Sequence, residues 1–337
     1  MALTSCKREQ KNSPSESGSI SNLVQYNEKD DVLHLKSGNF TYDFKQNQIP
    51  FKKIILLNAS MAGYISELEA QNLVIGVSSP EYIYSEKIQN LIREGKIQNV
   101  GNEQKYDVEK ILSLKPDAIF TNHISSFDNT YQLLKNNGIQ IIFLDEYMEQ
   151  KPLEKTAYLK LFGKLIGKDQ EAVKKYEEIV KNYNDLKQLA LKAKDKPTVL
   201  ANEMYGNVWY LPGGKTSVAN YISDANANYI LSNNTDEKAV TMSFEEVFAK
   251  SNHVNIWVNA GNHASKKKML GMNGFYGKLN VFNKGKIYAI TGKEKAYAND
   301  IFESGLVRAD LMLKDYIKIF HPELLPDYQL TYMKELQ

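Results

Sequence analysis

Rings with polar tips recur near the ends of the apolar runs in this chain. Tyr64, Tyr82, Tyr84 and His123 stand in the first half, and Tyr205, Trp209, His263 and Tyr297 in the second. Such side chains combine rigid contact area with a hydrogen-bonding end, which suits a large planar or macrocyclic ligand. They do not compose a catalytic set. No Gly-x-Ser-x-Gly elbow or Gly-x-Gly-x-x-Gly fingerprint occurs, and Gly214-Lys215-Thr216, which matches the end of a phosphate loop, has Trp209 where the first glycine is needed. A bare Zn²⁺ or Mn²⁺ site would need several ligands at one point, yet His34, His123, His253, His263 and His321 are dispersed without metal-ligand spacing. The expectation is therefore reversible binding without chemistry, with no catalytic residue, no metal site and no resident cofactor. A free-metal binder and an enzyme on the same scaffold are the competing classes.

Charge narrows the partners. The chain has 337 residues, and its 42 basic and 40 acidic side chains leave +2, so no basic excess points to nucleic acid. The Lys266-Lys267-Lys268 run reads as a solvated turn. Tyrosine is abundant at 21 residues, whereas Arg8, Arg93 and Arg308 are the whole arginine complement, which leaves bidentate anion forks scarce.

The elements that must position these rings come in two similar sets. Asp107 to Ser113 leads into Lys115-Pro116-Asp117 and the apolar run Ala118-Ile119-Phe120; Ser243 to Ala249 leads into His253 and the run Val254 to Val258. Each copy reads as an N-capped helix with a glutamate two positions on, then a turn and a buried strand. The repeat predicts two like-built lobes with a cleft between them. Ile54 to Leu57, Val74 to Val77 and Gln140 to Leu144 predict further strands of a mainly parallel sheet, whose ligands gather beyond the carboxyl ends of the strands. Helical spacing without strand signal runs from about 153 to 194, and a helix over 168–193 is long enough to join the lobes. The predicted division is a tether over 1–20, a hairpin extension over 21–48, a first α/β lobe over 49–150, a helical segment over 151–195 and a second α/β lobe over 196–337. Gly206-Asn207 predicts a tight hairpin, and a closing helix is expected from Ser304 to Phe320.

Several phrases together resemble one family. Leu73 to Ser78, Val108 to Asp117, Leu211-Pro212-Gly213-Gly214 and Ser243 to Val247 look like the substrate-binding proteins of ABC importers, in the class with two Rossmann-like lobes joined by one long helix that carries iron-chelate, haem and cobalamin binders. The resemblance covers about residues 50–325. It implies capture of an iron–siderophore complex or haem in the cleft and delivery to a permease, with a cobalamin importer as the alternative. It also implies that one surface glutamate per lobe docks on permease arginines, and by motif these fall on Glu109 and Glu245. Both carboxylates lie in a first helical turn, where the dipole favours them, so stabilising those helix starts is the competing role.

Leu3-Thr4-Ser5-Cys6 resembles the lipobox of bacterial lipoproteins, with Cys6 the site of lipid attachment after a signal peptide has been removed. The resemblance thus implies a monomer in the bacterial cell envelope that meets the membrane through its lipid anchor alone and faces the periplasm or the cell surface. The ligand is open. Scarce arginine argues against strongly anionic catecholate complexes and for a neutral or weakly charged chelate, haem or cobalamin. Haem would call for an axial His123, His263 or Tyr82, although a histidine is more often an ordinary hydrogen-bonding residue. Tyr64 and Tyr82 either face the ligand or pack against their own lobe.

Overall fold

Ile54–Leu56, Val74–Val77, Ala118–Thr121 and Gln140–Phe143 are short, apolar and rich in β-branched residues, the composition of strands covered on both faces. In the computed structural model, which describes residues 17–337, they form a parallel sheet with Gln98–Asn99. Across this sheet the order is Gln140–Phe143, Ala118–Thr121, Ile54–Leu56, Val74–Val77, Gln98–Asn99. A second sheet follows the same logic in the order Asn228–Tyr229, Thr198–Ala201, Ile256–Val258, Lys286–Ala289, Lys334–Glu335, parallel except for the last strand. Helices cover the sheets, as parallel crossovers require. The protein is therefore two α/β lobes with mainly parallel sheets.

The helix predicted over 168–193 is present as Asp169–Ala190. Its inward face passes from one core to the other: Ala172 and Ile179 pack in the first lobe, Tyr183 and Ala190 in the second. The preceding helix, Pro152–Ile166, lies against the first core through Leu159, Phe162 and Leu165. The two helices approach closely at Gly163, where a Cβ would stand 2.3 Å from that of Ala172. Any larger residue there would push the bridging helix away from the first lobe.

Both copies of the repeat fold as read. Asp107 caps Val108–Leu114 by accepting from the Lys110 amide, and Ser243 and Glu246 form a reciprocal capping box on Phe244–Lys250. Gly206, at φ +61, turns the tight hairpin between Met204–Tyr205 and Val208–Pro212.

Three local expectations need correction. The hairpin expected within 21–48 is part of a four-stranded antiparallel meander, Ser17–Ser19, Val24–Lys29, Val32–Ser37 and Phe40–Lys45. Residues 17–20, read as tether, thus pair in a sheet, and Ile20 is buried. The meander sits over the edge strand of the first lobe, where the Ser37 hydroxyl donates to the Phe143 carbonyl at 2.7 Å and the Phe143 amide donates to the Tyr42 hydroxyl at 2.9 Å. Covering an edge in this way satisfies groups that would otherwise be open to strand pairing. Lastly, the closing helix breaks at Arg308, giving Ser304–Val307 and Ala309–Phe320, and the Arg308 guanidinium turns onto Asp310 at 2.8 Å. Cys6 and the rest of the expected lipobox lie outside the described residues.

Candidate functional site

In the first sheet the strand order reverses between Ile54–Leu56 and Ala118–Thr121. Loops leaving neighbouring strands there part in opposite directions and open a crevice, so the residues just beyond those strands face the other lobe. They are Asn58, Ala59 and Ser60 on one side and Asn122 on the other. The Asn58 side-chain oxygen accepts from the Ser60 amide at 2.9 Å, and its amide group donates to the Asn122 carbonyl oxygen. Glu146, in the loop after the edge strand, completes the floor: its carboxylate accepts from the Ser60 hydroxyl at 2.6 Å and from the Asn122 amide at 3.0 Å.

The opposite wall comes from the second lobe. Tyr297, Asn299, Phe302, Glu303 and Leu306 close a cavity of about 330 Å³ over that floor, with Tyr82 and Tyr147 completing its rim. This volume is at the lower end of the range of roughly 300–1,000 Å³ common for ligand pockets. The rings stay largely open to solvent, with Tyr82 46 %, Tyr147 56 %, Tyr297 74 % and Phe302 57 % exposed. Four rings exposed together at one inter-lobe site make it a candidate binding surface.

Contacts between the lobes fix this wall. Tyr297 stands at the turn between the short strands Glu294–Lys295 and Ala298–Asn299, beside Ala296 at φ +49. Lys295 reaches across to Glu86 at 2.8 Å and lies 4.7 Å from the Tyr84 ring centroid. The Glu303 carboxylate accepts from the backbone amides of Tyr84 at 2.7 Å and Ser85 at 3.1 Å. Its own carbonyl oxygen sits where a Cβ on Gly63 would be, only 2.3 Å away, so only glycine fits in that helix.

Burial dominates the electrostatics. It raises the Glu303 carboxyl from 4.5 to about 7, against the lowering effect of the two amide donors. It also raises Glu146, with the Ser60 and Asn122 hydrogen bonds working the other way. The Lys155 amine, which feels both Glu146 and Glu149, is lowered by its own burial.

Of the residues singled out from sequence, Tyr82 and Tyr297 line the cavity together. Tyr84 is beside it, its ring beneath Lys295, and Tyr205 is 82 % exposed at a hairpin end outside the cavity. The remaining four are turned away. Tyr64 is fully buried in the first core, stacked on Phe162 at 4.9 Å, and its hydroxyl donates to the Lys155 carbonyl at 2.9 Å. Trp209 is fully buried in the second core against Trp257 and Tyr276, with its indole N–H donated to the Ala201 carbonyl. His263 is buried and paired with Glu203 at 2.5 Å. His123 lies between Phe40 and Phe143, each at 5.0 Å, and its Nε2 meets Asp128 at 2.7 Å.

Sequence reasoning passed over Glu146, Tyr147, Asn299, Phe302, Glu303 and Leu306. The first two follow the strand Gln140–Phe143, so the loop-after-strand rule applied once more finds them. The others carry no such signal, because they depend on how the second lobe meets the first. Among the described residues no group of three or more His, Cys, Asp or Glu could hold a metal ion, and no helix is long and apolar enough to cross a membrane.

The sequence profile of the periplasmic binding protein family matches residues 54–292. An uncharacterized lipoprotein of Methanocaldococcus jannaschii is 23% identical over 290 residues, covering 83% of this chain and 68% of that protein. An uncharacterized protein of the same organism is 26% identical over 235 residues, 68% of each. Among solved structures, Helicobacter pylori CeuE with Ni(II) bound superposes with a TM-score of 0.64 at 17% identity, covering 88% of this chain and 91% of that one. The periplasmic heme binding protein HutB of Vibrio cholerae gives 0.60 at 16% identity, covering 78% and 97%. At these identities the structural likenesses show a shared fold.

Proposed function

This chain belongs to the periplasmic binding protein family, and on that premise we propose that it captures a metal chelate, an iron–siderophore complex or haem, in the inter-lobe cleft and delivers it to the permease of an ABC importer. The observation that carries the reading is the cavity itself, where exposed rings from both lobes surround a hydrogen-bonding floor. Rings offer broad contact at small entropic cost, and Asn58, Ser60 and Asn122 orient what they hold. Structural neighbours named as heme binding proteins, and one with Ni(II) bound, lend weight to a metal-containing ligand. With His123 and His263 already engaged, Tyr82 is the one residue expected from sequence as an axial haem ligand that reaches the cavity.

Delivery rests on Glu109 and Glu245, both exposed in the first turns of equivalent helices, one per lobe. Attachment of lipid at Cys6 would hold the body at the envelope, in keeping with the lipoprotein name of a Methanocaldococcus jannaschii relative. The reading is of binding and release without turnover. Its test is the absorption spectrum of protein purified from its native host, followed by titration with ferric siderophores and haem, each of which is coloured. Binding at micromolar concentration or tighter is expected. Strong binding of a free divalent metal, with none of the chelates bound, would overturn the proposal.

A further inference from the structure

Among the described residues the cavity wall carries carboxyl groups and no basic side chain. Glu146 and Glu303 contribute buried carboxylates, whereas no lysine, arginine or histidine is among the described residues that line it. The cations nearby are committed elsewhere: Lys295 to Glu86 at 2.8 Å and Lys293 to Asp300 at 3.3 Å. The Lys155 amine, lowered by burial and raised by the charges of Glu146 and Glu149, makes no ion pair with Glu146 among the described residues and does not line the cavity. Tyr82, Tyr147, Tyr297 and Phe302 then present ring faces and edges over the same space. Ring faces attract cations and repel anions, and the attraction grows as the cation loses water.

We propose that the chelate accepted by this cleft is cationic, carrying a protonated amine that seats between the aromatic rim and the Glu146 carboxylate. The inference rests on the chelate-capture reading above and narrows it. A ferric trihydroxamate with a pendent primary ammonium has the required charge, since its metal core is neutral. A ferric tricatecholate, with charge −3, would bring its anionic oxygens against two carboxylates and find no guanidinium to answer them. Burial of the two carboxyl groups acts in the same direction, because an entering cation relieves the cost of ionising them.

The test uses the full-length protein and three ferric probes: the ammonium-bearing trihydroxamate, its N-acetylated neutral counterpart and a tricatecholate. Fluorescence titration should show the ammonium form bound about tenfold or more tightly than the acetylated form, and the tricatecholate weakest. Glu146→Gln, confirmed as folded by its circular dichroism, should shrink the gap between the first two probes. Equal affinity for the ammonium and acetylated forms, or preference for the tricatecholate, overturns the charge inference and leaves chelate capture standing. Failure of the folded wild-type protein to bind any of the three overturns this inference, and if haem also fails to bind it overturns chelate capture as well. The comparison of matched probes on wild-type protein decides the matter even where Glu146→Gln does not fold.

Discussion

Tyr82 from the first lobe and Tyr297 from the second meet edge to face across the cleft, with ring centroids 6.3 Å apart and planes at 68°. Each is presented by a local device of its own lobe: Tyr82 closes the turn Pro80–Tyr82 after Ser79 at φ +47, and Tyr297 tops a two-stranded hairpin. The pair is both a contact between the lobes and the rim of the cavity. A ligand entering there exchanges ring–ring contact for contact with two rings.

Tyr82→Ala and Tyr297→Ala should therefore each weaken chelate binding by about 1–2 kcal/mol, the cost of removing a ring that the bound ligand covers. Neither ring is buried, so the melting temperature should hardly change. Titration beside thermal unfolding separates the two effects. Loss of stability with unchanged affinity would place the rings in the architecture and not in binding.

Trp209→Ala should behave in the opposite way. The indole is enclosed by Trp257 and Tyr276 and hydrogen-bonded to Ala201, so its removal opens a cavity and should cost about 3–5 kcal/mol in unfolding experiments. Tyr205→Ala, four residues earlier in the same hairpin, removes an exposed ring and should stay within about 0.5 kcal/mol. Denaturant titration of the two variants checks this contrast.

Much of the fold was legible because its signals are local. Short β-branched runs, a capped helix repeated across the chain and a helix too long for one lobe lead to two lobes and their bridge. The site was harder to see because a ring beside a loop has two possible destinations. Trp209 shows the cause: it lies on a strand whose side chains alternate, and the inward positions Trp209 and Leu211 are buried while Tyr210 is exposed. Alternation counted strictly would have put Trp209 in the core. Tyr64 fails for the matching helical reason, since it shares a helix with the buried Met61, Ala62 and Ile65. Phe302 and Glu303 were beyond sequence reasoning, because what makes them a wall is the first lobe, some 220 residues earlier in the chain, as the Glu303 bond to Tyr84 records.

Glu303 also makes stability depend on pH. Its carboxyl sits at about 7 in the folded protein against an ordinary 4.5, through burial first, with Asp300 raising it further and Lys295 lowering it. Below pH 4.5 both folded and unfolded forms carry the proton. Between 4.5 and about 7 the folded form keeps a proton that the unfolded chain has lost, so this group's contribution to stability falls as pH rises, by at most about 3 kcal/mol, and is flat above that window. Glu303→Gln is neutral throughout and should lack this slope. Urea unfolding at about pH 5 and pH 8 should show the variant gaining on the wild type at the higher pH; parallel losses in both would refute the assignment.

Glu109 and Glu245 offer the clearest separation of a docking role from a structural one. Each sits in the first turn of its helix, but the capping there is done by others: Asp107 in the first copy, Ser243 with Glu246 in the second. Glu246 is in fact held below its ordinary carboxyl range by the Ser243 backbone amide, which shows where that helix start draws its support. Reversing Glu109 or Glu245 to lysine places the wrong sign at a helix N-terminus, so a small fall in melting temperature is expected from the dipole alone. Chelate affinity should be unchanged, because neither residue lines the cavity. If these glutamates dock on permease arginines, uptake by cells should fall sharply, and more so for the double reversal, since lysine would then meet like charge. Uptake, titration and melting measured on the same variants distinguish the outcomes: a loss confined to melting assigns these glutamates to helix stabilisation, and a sharp loss of uptake with affinity unchanged and melting only slightly lowered assigns them to the permease.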